Sequence, residues 1–170
     1  STLNLKIKFR ESFRPFAPSV LRECVDDCFD MRGKDSPYML LVADVKEERL
    51  CVQSEEDKAR EGFDKLKVIR SDLPAITHVD NTARIQSVDE ATNPRYYQLI
   101  KAFNEQTGCP VLINTSFNVR GEPIVCTPEE AFICFMRTKM DYLCIGRFLL
   151  AKTNQAPWEG TDDWREEFEL

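Results

Sequence analysis

Three stretches hold side chains whose types and spacing could do chemistry. In KFRESFRP, residues 8–15, Lys8 and Arg10 share one face if the segment from Leu3 runs as a strand. Leu3, Leu5, Ile7 and Phe9 then take the other face, and Arg14 lies just beyond a turn into Pro15. Cations so close repel one another unless carboxylates or a bound anion offset them, and Glu11 alone does not neutralise the group. The cluster therefore either pairs with Asp or Glu from elsewhere or binds an anion. In NTSFNVRGEP, residues 114–123, Thr115, Ser116 and Asn118 offer short donors and acceptors, and Arg120 adds a cation. Gly121 permits left-handed or closely approached backbone. The loop follows an apolar strand, where ligand sites form in open α/β sheets, although Asn, Ser and Gly also build ordinary capped turns. In ITHVDNTARIQ, residues 76–86, His78 is the single histidine, Asp80 stands two positions on, and Arg84 follows an Asn81-Thr82 turn. A His–Asp pair can serve acid–base chemistry, but a hydrogen-bonded structural histidine is the commoner arrangement, and one histidine cannot build a histidine-rich metal site. Cys24 and Cys28 have the spacing of a metal pair, yet both fall on an apolar stripe with no second pair to complete a site, so they read as packing and no metal centre is expected.

The elements that must position these residues follow from periodicity. Val20, Leu21, Cys24, Val25, Cys28 and Phe29 recur at helical spacing behind Ser19 as N-cap, which predicts an amphipathic surface helix. Tyr38 to Ala43 reads as a buried strand, residues 46–67 as a charged, mobile insertion, and Ala83 to Val88 as a strand. Asn93-Pro94 opens a helix that Gly108 closes. Val111 to Ile113 reads as a buried strand leading into the polar loop. Thr127-Pro128-Glu129-Glu130 starts a helix running to about Lys139, and strands at 141–145 and 147–152 follow. Strands interleaved with helices indicate an α/β (α+β) domain around a mixed sheet.

With 170 residues and 42% hydrophobic content, length predicts one compact unit, residues 1–155, followed by a loose acidic tail from 156 to 170. The net charge of −6 argues against bulk affinity for nucleic acid or membrane, while leaving room for a local basic site. Seven cysteines in apolar runs fit reduced, buried thiols in a cytoplasmic protein better than a disulfide framework. No run of about twenty apolar residues reads as a membrane span, and the opening in a strand-like segment without Met suggests a piece of something longer.

Taken together, IKFRESFRPFAPSVL, THVDNTARIQ, YYQLIKAFNEQTGCPVLINTSFNVRGEPIVCTPEEAFICFMRT and MDYLCIG resemble the C-terminal region of the O-carbamoyltransferase family, which includes nodulation protein U and the cephem and tobramycin carbamoyltransferases. The resemblance covers most of residues 4–150. It implies the fold of threonylcarbamoyl-AMP synthase, called YrdC-like: a twisted mixed β-sheet flanked by helices. It also implies an actin-like ATPase-type N-terminal domain elsewhere in the full-length protein. The YrdC-like signature Lys-x-Arg … Ser-x-Asn is matched by Lys8-Phe9-Arg10 and Ser116-Phe117-Asn118. By that resemblance Lys8 and Arg10 would hold a phosphate or carbamate anion, and Ser116 and Asn118 would orient the carbamoyl group or the nucleotide phosphate. Asn81 stands where many relatives have glycine, but Asn tolerates the left-handed turn.

The chemistry so implied converts carbamoyl phosphate and ATP to carbamoyl-adenylate with release of phosphate and pyrophosphate. The N-terminal domain then passes the carbamoyl group to a hydroxyl acceptor. A carbamate oxygen must approach the α-phosphorus, so Lys8, Arg10, Arg14 and Arg84, with Mg²⁺ on the triphosphate, would offset like charges, and Arg120 is a weaker candidate. His78, Asp80, Thr115 and Gly121 complete the expected binding set. The acceptor-side pocket and its histidine-rich metal site have no counterpart in this sequence, and the missing domain is expected to cover an apolar patch near the ligand loops. Two other readings remain at this stage: a stand-alone threonylcarbamoyl-AMP synthase, and a non-catalytic module that binds nucleotide or RNA.

Overall fold

The computed structural model describes residues 3–158, so the part of the acidic tail from 159 onward lies outside the described residues. The chain divides into two compact units, where length alone predicts one: Pro15–Thr115, and a second assembled from the residues up to Arg14 with those from Ser116 onward.

The unit Pro15–Thr115 is built on a four-stranded mixed sheet. Its strands β1 (Ala17–Leu21), β2 (Leu41–Asp44), β3 (Thr82–Val88) and β4 (Val111–Asn114) lie in the order β2-β3-β1-β4. β1 runs parallel to β3, with Ser19 opposite Gln86, while β4 is antiparallel to β1 and β2 antiparallel to β3. Every residue of β1 is buried. This explains why its sequence misleads. A strand buried on both faces reads as a continuous apolar run that a helical pattern also fits. Ser19, expected as an N-cap, instead lies within the sheet and donates its hydroxyl to Gln86 Oε1 at 2.7 Å. Helix begins only after β1, as a 3₁₀ turn at Arg22–Cys24 and then α1 (Val25–Cys28).

β2 corrects a second expectation, because it is an exposed edge. Tyr38 and Leu40 before it are 81% and 79% accessible, and Val42 within it is 59% accessible. β4 forms the opposite edge, with Ile113 exposed. The charged segment after β2 breaks into short helical pieces, 3₁₀ at Glu47–Arg49 and Gly62–Lys67 on either side of α2 (Glu55–Ala59). α3 (Pro94–Thr107) is bounded as its sequence requires, with proline in the first turn and Gly108 at φ +73°, whose N–H closes on Asn104 O at 2.7 Å. Tyr97 and Ile100 face the sheet and bury Leu21 and Val88, with Cys24, Tyr96 and Leu112 packed around them.

In the other unit, α4 (Pro128–Arg137) carries a full capping box. Thr127 Oγ1 accepts from Glu130 N at 3.2 Å, and the Glu130 carboxylate accepts from Thr127 N at 3.1 Å. Its buried stripe is Ala131, Cys134 and Phe135, at helical spacing. β5 (Tyr142–Ile145) and β6 (Phe148–Ala151) form an antiparallel hairpin turning at Gly146, φ +60°. All seven cysteines are free thiols, but only Cys28 and Cys134 are buried. Cys51, Cys126 and Cys144 are exposed; within β5 the side chain that faces inward is Leu143, at the position before Cys144.

Candidate functional site

The decisive local correction is at the start of the chain. Asn4–Lys8 is a single π-helical turn, not a strand, and its burial does not follow the alternation read from sequence: Asn4 and Lys8 are buried, Leu5 and Lys6 exposed. Asn4 is fully buried and Lys8 is 5% accessible, while Leu5 is 59% accessible. Specific polar bonds override the apolar pattern. Asn4 Nδ2 donates to Arg14 O at 2.7 Å and Ser12 O at 3.3 Å, and Asn4 Oδ1 accepts from Arg10 Nε at 2.7 Å. One asparagine thus ties together the loop that carries both arginines. Phe9 ends the turn in the left-handed region at φ +49°, which separates the directions of Lys8 and Arg10 instead of leaving them side by side on a strand.

Lys8 meets the Ser-x-Asn loop directly. Its Nζ donates to Ser116 O at 2.8 Å and Oγ at 3.3 Å, and to Asn118 O and Oδ1 at 2.7 Å each. An ammonium has three protons, so these four oxygens take up its whole donor capacity within the protein. Ser116 Oγ donates to Asn118 Oδ1 at 2.6 Å, Asn118 Nδ2 to Glu122 O at 2.7 Å, and Arg120 N to Lys8 O at 3.1 Å. Gly121 turns the loop at φ +77°, the left-handed geometry expected of it.

The electrostatics follow from burial. Desolvation pushes Lys8 below its usual 10.5, and the Arg10 cation adds to this, while Glu122 and Cys134 oppose it. Arg10 is lowered by burial first and by Arg14 second. Arg14 and Glu11 are exposed and form a loose pair at 3.7 Å. On α4, burial drives the Cys134 thiol up to about 12, with Glu122 the next cause. Beside Glu122, a cavity of about 430 Å³ is lined by Pro123, Ile124, Val125, Ile133 and Arg137.

The remaining sequence candidates, Thr115, His78, Asp80 and Arg84, belong to the unit Pro15–Thr115. Asp80 turns to Thr82 and not to the histidine: its Oδ1 accepts from Thr82 N at 3.1 Å and Oγ1 at 2.7 Å, and these bonds hold its carboxyl below the usual range. His78 closes the same turn through its backbone, and Asn81 takes φ +64°. The stretch is thus a tightly bonded turn into β3, on which Arg84 stands exposed opposite Val42. Sequence reasoning passed over Asn4, Glu122 and Cys134. Asn4 gave no signal, being one polar residue in an alternating run. Glu122 stood in view within the loop, but only the fold shows which way its carboxylate points. Among the described residues no group of three or more His, Cys, Asp or Glu could hold a metal ion.

Comparison with known proteins bears on this geometry. Residues 1–152 match the family model for the carbamoyltransferase C-terminus. The chain belongs to that family. An uncharacterized protein of Synechocystis sp., sll1178, is 62% identical over 100% of this chain and 28% of its own length. Nodulation protein NolNO of Sinorhizobium fredii is 37% identical over 95% of this chain and 21% of its own. The 3'-hydroxymethylcephem-O-carbamoyltransferase of Amycolatopsis lactamdurans is 36% identical over 71% of this chain and 19% of its own. The chain therefore spans 28% or less of the length of these relatives. In this carbamoyltransferase C-terminal domain, the family match covers every residue of the Lys8–Ser116–Asn118 cluster.

Proposed function

We propose that this carbamoyltransferase domain makes carbamoyl-adenylate from carbamoyl phosphate and ATP for transfer to a hydroxyl group elsewhere in the full-length protein. The observation that carries the reading is the junction of Lys8 with Ser116 and Asn118, made of both halves of the expected signature and gathered within one unit. Water first cleaves carbamoyl phosphate to carbamate and phosphate. A carbamate oxygen then forms a bond to the α-phosphorus of ATP, and the bond to pyrophosphate breaks. The chemical problem is bringing an anion against a polyanion, and it is met by preorganised positive charge and hydrogen bonds.

In this scheme Ser116 and Asn118 present their side chains to the carbamoyl group, while Arg10, Arg14 and Arg120 of the same unit offset phosphate charge. Lys8 acts from beneath the loop, setting the direction of Ser116 and Asn118 and placing a buried cation there. Mg²⁺ brought in with the triphosphate would offset part of its charge, and Arg10, Arg14 and Arg120 would act on the phosphate oxygens beside it. The cavity beside Glu122, where Ile124, Val125 and Ile133 stand with Glu130 and Arg137, is of ligand size and would receive the nucleobase. The acceptor, and the transfer step, belong to the part of the relatives' length that this chain does not span.

Pyrophosphate release by the intact protein tests the reading. It should require both ATP and carbamoyl phosphate, and threonine with bicarbonate should not replace the latter. Release driven by threonine and bicarbonate would assign the domain to threonylcarbamoyl-adenylate formation instead.

A further inference from the structure

We propose that Gln86 is a positioning residue that fixes the Asn114 amide with its oxygen outward, and that this oxygen accepts a hydrogen bond from the carbamoyl nitrogen of the substrate. The identity of the ligand rests on the adenylation reading; the fixed direction of the amide does not.

Both residues stand on one face of the sheet in the unit Pro15–Thr115. Gln86 on β3 pairs with Ser19 of β1, and Asn114, the last residue of β4, pairs with Ala17, which shares a face with Ser19. β3 and β4 lie on either side of β1, about 10 Å apart, so their side chains meet only where β1 carries small residues. Ala17 and Ser19 leave that room. Gln86 Oε1 accepts from Ser19 Oγ and from Asn114 Nδ2, at 2.7 Å each, and Gln86 Nε2 donates to Pro37 O at 3.2 Å.

The polarity of this chain of bonds is set at its far end. Pro37 O can only accept, so the Gln86 amide turns its nitrogen there and its oxygen towards β1. That oxygen can only accept in its turn, so Asn114 gives it Nδ2 and keeps Oδ1 on the other side. Among the described residues none donates to Asn114 Oδ1, although the residue is half-buried. α3 covers this face of the sheet at Leu21 and Val88. It is open at the row that holds Val42, Arg84 and Asn114, where Val42 and Arg84 are exposed and Arg84 forms no ion pair among the described residues. An oriented acceptor on the same row as an exposed cation suits a small anion that also carries N–H. Carbamoyl phosphate is one, and the carbamate made from it keeps that nitrogen. Acetyl phosphate has a methyl group in its place and would leave Oδ1 without a donor.

The test is the affinity of the intact protein for carbamoyl phosphate, acetyl phosphate and Mg–ATP, each titrated calorimetrically. The parent should prefer carbamoyl phosphate to acetyl phosphate by about tenfold or more. Asn114→Ala should weaken carbamoyl phosphate by about tenfold and leave acetyl phosphate and ATP near the parent values, so the preference disappears. Gln86→Met frees the amide to turn over and should lose a smaller part of the preference; either variant serves alone if the other does not fold. A merely structural role would weaken both phosphates alike. Equal affinities for the two in the parent, or a preference unchanged in the variants that fold, overturns the proposal. A loss confined to ATP would move the contact to the amine of the base and overturns it as well. The expected preference in a protein that releases no pyrophosphate overturns the adenylation reading and upholds the role of Asn114.

Discussion

Lys8 and Lys152 lie in the same unit, both buried enough to be held below the usual lysine value, and both spend their protons on protein oxygens. Their partners differ in kind. Lys152 donates to Phe135 O at 2.5 Å and to Thr138 O, at the carboxyl end of α4, and rests 4.7 Å from the Phe135 ring centroid. It adds a donor to two carbonyls at the helix end, one of which, Phe135 O, also accepts from Thr138 N and Oγ1, and it adds a cation where the helix dipole favours one. Lys8 instead takes one carbonyl and one side-chain oxygen from each of Ser116 and Asn118. Helix-end carbonyls are fixed in place by the helix itself. Side-chain oxygens on a loop can turn, so an ammonium that grips them controls where they point. Lys152 is a staple; Lys8 organises groups that a ligand can use.

The sharpest way to break this contrast is to remove the hub on the loop. Asn118→Ala deletes the oxygen shared by Lys8 and Ser116 together with the donor to Glu122, and pyrophosphate release should fall about a hundredfold or more. Equal rates in the variant and the parent would leave the loop as a mere turn. Next in size are two stability effects, read by denaturant unfolding. Lys152→Met leaves Thr138 O without the ammonium, takes one of three donors from Phe135 O, and should cost about 1–3 kcal/mol. Gly121→Ala forces a Cβ into left-handed backbone at φ +77° and should cost about 1–2 kcal/mol. Lys152 should matter to stability while the reaction rate of the folded variant is unchanged.

A pH series sharpens the contrast further. Since burial lowers the folded-state value of Lys8 below 10.5, the unfolded chain binds the extra proton between the two values. The stability penalty of Lys8 is therefore full below the lowered value and is relieved as pH rises through that window, so the parent should gain stability relative to Lys8→Ala there. Activity should move the opposite way, because the neutral amine releases the loop. Lys152, lowered in the same direction, should give the stability trend without the activity loss. The smallest expected effect is on Cys134, which lies within electrostatic reach of both lysines and whose thiol stands near 12. In the native protein it should resist alkylation under conditions that label exposed Cys51, Cys126 and Cys144, and loosening either lysine should raise its labelling modestly.

Much of the frame was legible in the sequence because local rules agreed there: Pro94 and Gly108 bound α3, Thr127 and Glu130 cap α4, and Gly146 turns the last hairpin. The errors arose where long-range contacts outweighed local pattern. β1 looked helical because both of its faces are buried, and Asn4–Lys8 looked like a strand because the alternation of leucine and lysine said nothing about bonds to residues more than a hundred positions away. Lys8, Ser116 and Asn118 were recognisable as residue types and do meet. What sequence could not supply was direction: Lys8 points into the loop, Asp80 to Thr82, and Glu122 back to Val119.

The central claim, that Lys8 organises a reacting loop whereas Lys152 only fastens a helix, is tested most directly by pyrophosphate release from ATP and carbamoyl phosphate in the intact protein, with Lys8→Ala and Lys152→Met measured side by side at neutral pH. The account expects Lys8→Ala to lose about a hundredfold or more while Lys152→Met, once folded, keeps the parent rate. Equal rates in the two folded variants would contradict it.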